Sequence, residues 1–384
     1  MNHTSLFARR MILALGVIIF AACTPAAPAA TSVPPTATPV PPTATPVPPT
    51  ATPAQGDQLS PSPRAEVSIA YNTKTNQVIL FGGSTGNTQK TSSYNNETWI
   101  NDVATNTWTQ MKPPSAPSPR GSAGLDYDAE SDRIILFAGL TPDNFEMNDT
   151  WSFDMNNNTW TQMNPGGPVN HVGCSLVYDS KADRMILFGG FNFKDNLATN
   201  DAWAYDYNTD TWTEMKPAAS PPGRNWQAMA YDPKADRVIM WGGWGTTNAD
   251  NDTSLWVYDY NTDTWEERKP SGGPSSRAFH SLSYDPKADR TILYGGYTGG
   301  IPTESMDYTI NSSETWAYDY NLNTWTLLNP TENPGPLMRV GQVYLSSTDR
   351  LLLFGGRSDV DICSDKTWLY DYNANTWTEV TPKQ

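Results

Sequence analysis

The sequence predicts an all-β chain: six four-stranded sheets set radially around a channel, behind an export signal and a proline-rich stalk. Three observations carry that prediction. An apolar run ending in two small residues occurs six times, as VILFGG to Gly83, IILFAG to Gly139, MILFGG to Gly190, VIMWGG to Gly243, TILYGG to Gly296 and LLLFGG to Gly356. A tryptophan pair follows each run at a constant nine-residue separation: Trp99/Trp108, Trp151/Trp160, Trp203/Trp212, Trp256/Trp265, Trp316/Trp325 and Trp368/Trp377. A fixed internal period of this kind marks an array, a solenoid or a propeller. Finally, the units alternate apolar and polar residues with period two, and no 3.6-residue pattern runs beyond two turns.

The chain begins outside the fold. Arg9 and Arg10 precede an apolar stretch from Met11 to Phe20, too short for a stable membrane span, so residues 1–22 read as an export signal. It ends in Phe20-Ala21-Ala22-Cys23, which resembles a bacterial lipobox. That resemblance implies lipid on Cys23 and a location on the outer face of a bacterial membrane. Residues 23–63 form a Pro/Thr/Ala-rich linker in which VPPTATP occurs three times, at 33–39, 40–46 and 47–53. Such a segment has no apolar set to bury and favours extended polyproline II.

Residues 64–384 hold the repeats. In the fourth unit, strand A is expected at about 226–231, B at 238–241, C at 255–260 and D at 264–268. The DPKADR segment supplies the A–B turn, and Asn261-Thr262-Asp263 the C–D turn. Strand B is apolar on both faces and must be covered on both. Radial packing of each sheet between two neighbours satisfies that need, and bulky Trp and Tyr from strands C and D suit the widening wedge between sheets.

The diglycine after strand B, the Tyr-Asp of strand C, the Asn/Asp turn and the following Trp resemble the kelch repeat. The resemblance covers all six units and implies a six-bladed kelch-type β-propeller with four antiparallel strands per blade. Two departures stand out. Asn101 replaces the aromatic found as Phe153, Tyr205, Tyr258, Tyr318 and Tyr370, and Ala138-Gly139 replaces a diglycine. The units run A to D without permutation, so the ring is expected to close by packing of the last sheet against the first.

Composition narrows the function. With 40 acidic against 25 basic residues the net charge is −15, which disfavours nucleic acid as a partner. Three cysteines exclude a disulfide scaffold and a four-thiolate zinc site, and Cys174 and Cys363 read as free thiols. Arg64, Arg120, His171, Arg224, Arg277 and Arg339 are read as one repeat position, seven residues before the strand A tyrosine or its equivalent. In kelch-like blades strand A is innermost, so this set is expected to ring the channel mouth and bind an anionic group. The competing expectation pairs them with acids two residues before the first tryptophan: Glu97, Asp149, Asp201 and Glu314.

Catalytic signals are weaker. Gly82-Gly83-Ser84-Thr85-Gly86 matches a nucleophile elbow but lacks the following helix. The copper site of galactose oxidase, a related propeller enzyme, needs two histidines in one ligand set, and His171 and His280 occupy different strand A positions. Sialidase propellers carry a glycine before Thr-Trp that is missing here. The Asp206/Asn208/Asp210 and Asp259/Asn261/Asp263 turns offer weak calcium-type spacing. No metal and no cofactor is expected. The reading is a monomeric, membrane-anchored binding module for a protein, peptide or anionic glycan. Its alternatives are a carbohydrate-active enzyme at the channel mouth and a structural spacer.

Overall fold

The computed structural model describes residues 60–86, 93–141, 147–164, 166–169, 171–245, 253–299 and 310–382. The export signal, Cys23 and the linker as far as residue 59 lie outside them. Among the described residues there is no α-helix, and six four-stranded antiparallel sheets dominate. Sheet 1 comprises Ser68–Asn72, Gln77–Phe81, Thr98–Asp102 and Thr107–Met111. Sheet 2 comprises Gly124–Asp128, Arg133–Phe137, Thr150–Asp154 and Thr159–Gln162. Sheet 3 comprises Ser175–Asp179, Arg184–Asn192, Leu197–Asp206 and Thr211–Met215. Sheet 4 comprises Ala228–Asp232, Arg237–Trp241, Leu255–Asp259 and Thr264–Arg268. Sheet 5 comprises Ser281–Asp285, Arg290–Tyr294, Thr315–Asp319 and Thr324–Leu328. Sheet 6 comprises Gly341–Leu345, Arg350–Phe354, Thr367–Asp371 and Thr376–Glu379. Each sheet is hydrogen-bonded in sequence order, A to D.

Strand A of every sheet touches strand A of the next, and strand A of sheet 6 touches that of sheet 1. The wedge between sheets is aromatic, as its width demands. The strand B aromatic just before the paired small residues meets the strand D tryptophan of the following sheet: Phe81 with Trp160, Phe137 with Trp212, Phe188 with Trp265, Trp241 with Trp325 and Tyr294 with Trp377, ring centroids 4.7–5.9 Å apart. Phe354 of sheet 6 makes the same contact with Trp108 of sheet 1 at 5.3 Å. The two ends of the array therefore meet through packed side chains, joined by backbone hydrogen bonds such as Arg64 N–H to the Ser364 carbonyl at 2.9 Å, with no strand exchanged between the first and last sheets. Leu345, Leu352 and Phe354 share one apolar cluster with Ile69, Tyr71, Val78 and Trp99.

Some interfaces add a hydrogen bond. The indoles of Trp160, Trp212 and Trp377 donate to Thr98, Thr150 and Thr315 of the preceding sheet at 2.9–3.1 Å. Ala202 and Leu255 occupy that threonine's place before Trp265 and Trp325, whose indole nitrogens have no partner. Within a sheet the strand C aromatic packs on the strand D tryptophan, as Tyr258 on Trp265 at 4.8 Å. Asn101 stands opposite Trp108, so sheet 1 lacks this pair.

The turns at one end follow a single rule. Each strand A tyrosine donates its hydroxyl to the Asn or Asp five residues on, as Tyr231 to Asp236 at 2.8 Å and Tyr284 to Asp289 at 2.6 Å. That acceptor sits in the left-handed region, φ 59° at both Asp236 and Asp289, a conformation Asp and Asn tolerate better than most residues. The residues considered as calcium ligands are committed in the same way. Asp206 and Asp259 accept turn N–H groups and pair with Arg184 and Arg237, while Asp210 and Asp263 accept Tyr205 and Tyr258 hydroxyls.

Strand A is shorter than expected at the opposite end. In sheet 4 it begins at Ala228, while Arg224–Asn225 forms a separate two-residue strand paired with Trp244–Gly245. The break is at Trp226, whose φ of +51° turns the chain out of extended geometry.

Candidate functional site

The channel has two accessible ends. Toward the A–B turns, the strand A residues enclose a cavity of about 390 Å³ walled by Tyr127, Tyr178, Tyr231, Tyr284 and Tyr344. One carboxyl breaks the repeat there. Asp126 stands where the other sheets carry Ala70, Val177, Ala230, Ser283 and Val343, and it accepts the backbone N–H groups of Tyr127 and Tyr178 at 2.8 and 2.7 Å. Burial raises its carboxyl to about 6 against the pull of those two bonds, with Asp128 adding to the rise. Because the folded value lies above the ordinary 3.8, the proton stabilises the fold. That stability is complete below about pH 4 and is lost as pH rises through 6. Taken as the difference between wild type and Asp126→Asn in urea unfolding, the Asp126 proton is expected to contribute about 1–3 kcal/mol more at pH 4 than at pH 7. An unchanged pH profile in the variant contradicts the assignment. The cavity lining contains no second carboxyl and no histidine, so Asp126 has no partner there for paired acid–base work.

At the other end lie the diglycines, the B–C connections and the entries to strand A. Here the arginine set is placed differently from expectation. Arg64, Arg120, Arg224 and Arg277 are 0–1% exposed and His171 is 4% exposed, so none presents its head group to the channel. Each arginine is a staple. In Arg120, Nε donates to the Ser118 carbonyl at 3.1 Å and Nη1 to the Ala138 carbonyl at 3.0 Å. Its Nη1 and Nη2 also hold both oxygens of Asp149, at 2.6 and 3.0 Å. Arg64 and Arg277 repeat the pattern with Glu97 and Glu314 at 2.6 and 2.5 Å, and His171 with Asp201 at 2.9 Å. The same acids accept the indole N–H of the tryptophan two residues on: Trp99, Trp151, Trp203 and Trp316. Burial opposes ionisation of Asp201, but His171 and the Trp203 indole override it and hold the carboxyl at about 2. The arginine position thus ties the entry of strand A, the diglycine and the B–C connection together, and the expected acid partners are the observed ones.

The sixth member needs correcting. Leu337, not Arg339, lies seven residues before Tyr344. Its carbonyl accepts from Gly296 as those of Arg64, Arg120 and Arg277 accept from Gly356, Gly83 and Gly243. These close approaches are what the diglycine is for: a Cβ on Gly82 would stand 2.4 Å from the Arg120 oxygen, at a φ of +66°. In sheet 6 the staple's acid is absent as well, Lys366 standing two residues before Trp368.

Arg339 belongs to another ring, two residues further along: Glu66, Ser122, Gly173, Trp226, Phe279 and Arg339. All six are left-handed, with φ from +51° to +67°. Five of the six steps between neighbours carry a backbone hydrogen bond. Glu66 N–H donates to Arg339 O, Ser122 to Glu66, Trp226 to Gly173, Phe279 to Trp226 and Arg339 to Phe279, at 2.7–3.0 Å. These residues line a pocket of about 180 Å³ at the channel mouth. Its side chains also run around the ring. The Arg339 guanidinium pairs with Glu66 and lies 4.2 Å over the Phe279 ring. Glu66 also accepts the Tyr94 and Ser122 hydroxyls at 3.1 and 3.0 Å. Trp226 packs on Phe279 and Trp244 with centroids 4.8 and 5.2 Å away, within a cluster that includes Tyr297 and Met338. The mouth is therefore aromatic over sheets 4 and 5 and polar over sheets 6, 1 and 2.

Sequence reasoning missed this ring, although one signal was available. Six aligned units place nearly the same residue at the staple and six different residues two positions later. A position that repeats serves the unit; a position that varies while its backbone stays constant is free to serve a ligand. Bulky side chains in left-handed geometry also cost about 1 kcal/mol each relative to glycine.

Stacked antiparallel sheets whose first strands enclose a channel define a repeat-built all-β scaffold with a variable ring of residues at one end. The chain belongs to the kelch-repeat family: the KLHDC2/KLHL20/DRC7 Kelch-repeats domain matches residues 49–234 and 233–384. It is 26% identical over 256 residues to Multiple epidermal growth factor-like domains protein 8 of Mus musculus, covering 64% of this chain and 9% of that protein. It is 24% identical over 274 residues to Kelch domain-containing protein 3 of Bos taurus, 65% and 67% of the two chains. Putative adagio-like protein 2 of Oryza sativa subsp. japonica is 27% identical over 271 residues, 65% of this chain and 40% of its own length. The chain thus corresponds to under a tenth of the first of these relatives. Kelch repeats generally mediate protein interactions, and a binding module fits that pattern.

Proposed function

We propose that the chain is a six-bladed kelch propeller acting as a non-enzymatic binding module, whose ligand seats on the ring Glu66, Ser122, Gly173, Trp226, Phe279 and Arg339. The observation that carries this is the contrast between two neighbouring positions: a buried, repeated staple and a channel-facing ring in which no residue type recurs. The export signal, the lipobox-like Cys23 and the VPPTATP repeats support display on a stalk at the outer face of a membrane. Mass spectrometry of the membrane fraction tests that part, a lipid-bearing Cys23 being expected and an unmodified soluble chain contradicting it.

The site is tested by probing an array of peptides and anionic glycans with the wild-type chain and with Glu66→Ser, Trp226→Gly, Arg339→Gly combined. Ser and Gly are the residues that sheets 2 and 3 already carry at this position, so the triple variant is expected to fold. Ligands held by the wild type should bind it at least about tenfold more weakly. Equal binding, or an array without ligands, contradicts the proposal.

A further inference from the structure

We infer that the mouth receives an apolar side chain anchoring an extended segment of a partner protein, with the Trp226 indole as its seat. This rests on the mouth being the binding site and specifies what it takes.

The charges at the mouth are already matched. One Glu66 oxygen holds Arg339, and the other accepts Tyr94 and Ser122. Arg339 is clamped between that carboxylate and the Phe279 ring. A charged ligand would exchange one paired state for another in a partly desolvated place and gain little. Trp226 is different. Its indole lies over Gly173, where a Cβ would stand 2.6 Å from Nε1, so only glycine admits it. Its edges meet Trp244 and Phe279, and it stays partly exposed on the pocket side. The pocket, at about 180 Å³, is smaller than the ~300–1,000 Å³ typical of small-molecule sites, and it suits one side chain.

The surroundings continue the apolar character. Of the eight exposed large apolar residues among those described, Val169, Phe193, Leu197, Ile310, Val360 and Ile362 all lie on connections of the mouth face. Phe193 and Leu197 crown the extended B–C ribbon of sheet 3, which pairs through Phe191 with Val172, next to Gly173. Apolar surface concentrated on one face in this way marks a protein-contact surface, and its partner is a polypeptide with an apolar anchor and apolar flanks.

The test pans a random linear peptide library on phage against the full chain and measures the affinities of the selected peptides. They should share one aromatic or branched aliphatic position whose replacement by Ala weakens binding at least about tenfold. Trp226→Gly, which trades aromatic packing for relief of the left-handed strain, should cost as much in a variant whose cooperative melting shows it folded at the assay temperature. Raising NaCl from about 50 to 500 mM should change affinity less than about threefold. Two results overturn the inference but leave the mouth as the site: steep salt dependence, and loss of binding in Arg339→Gly with retention in Trp226→Gly. Peptides indifferent to Glu66, Trp226 and Arg339 overturn both readings, as does a library yielding no mouth-dependent binder.

Discussion

Arg120→Ala is expected to lower the free energy of unfolding in urea by about 3–5 kcal/mol. The arginine is fully buried, and its removal strands Asp149 and the Ala138 and Ser118 carbonyls, all of which it now satisfies. The protein itself supplies the control. Sheet 6 dispenses with the staple by carrying Leu337, and Ser254 of sheet 4 accepts the Trp256 indole at 2.8 Å where sheets 1, 2, 3 and 5 use an acid. Arg120→Leu combined with Asp149→Ser copies both solutions, removing the buried charges together while keeping an acceptor for Trp151. The double variant should recover more than half of the loss. A double variant as unstable as the single would mean that the staple contributes something other than mutual neutralisation.

Trp108→Ala should cost about 3–5 kcal/mol, as much as Trp160→Ala. Trp160 packs between sheets 1 and 2, interior to the array, whereas Trp108 meets Phe354 across the junction of the first and last sheets. Equal costs require that the junction be as tightly packed as any other interface. Trp160→Ala also forfeits the bond to Thr98, so a slightly larger effect there is expected. If Trp108→Ala cost less than about 1 kcal/mol, the ends of the array would not be closed by this contact.

Strands, turns and inter-sheet packing were legible because each depends on local pattern. The Trp pairs and the apolar strand B runs specify faces, and Tyr231 with Asp236 specifies a turn five residues away. Even the acids that pair with the staple were visible as a fixed offset from Trp99, Trp151, Trp203 and Trp316. Burial of the arginines was not legible, because it depends on carbonyls of Gly82, Ala138, Gly242 and Gly295 folding back eighteen residues later. Arg339 was taken into the staple since its charge fits. Only the carbonyl of Leu337 reveals the true register. Trp226 fell at the start of the strand A expected from the alternation before DPKADR, and its left-handed φ with the bonds to Gly173 and from Phe279 takes it out of that strand. Its equivalence to Gly173 was the available clue. Asp126 was not legible, because no local pattern reveals the Tyr127 and Tyr178 N–H groups that its carboxylate binds.

The division of labour between repeated and variable positions is tested most directly by measuring, for two variants, both the melting temperature and the affinity for a peptide selected on the wild-type chain. Arg277→Ala should melt well below the wild type yet bind normally at a temperature where it is folded. Trp226→Gly should melt closer to the wild type than Arg277→Ala does and, where folded, bind at least about tenfold more weakly. The opposite pattern, with binding lost at Arg277 and kept at Trp226, would contradict the account.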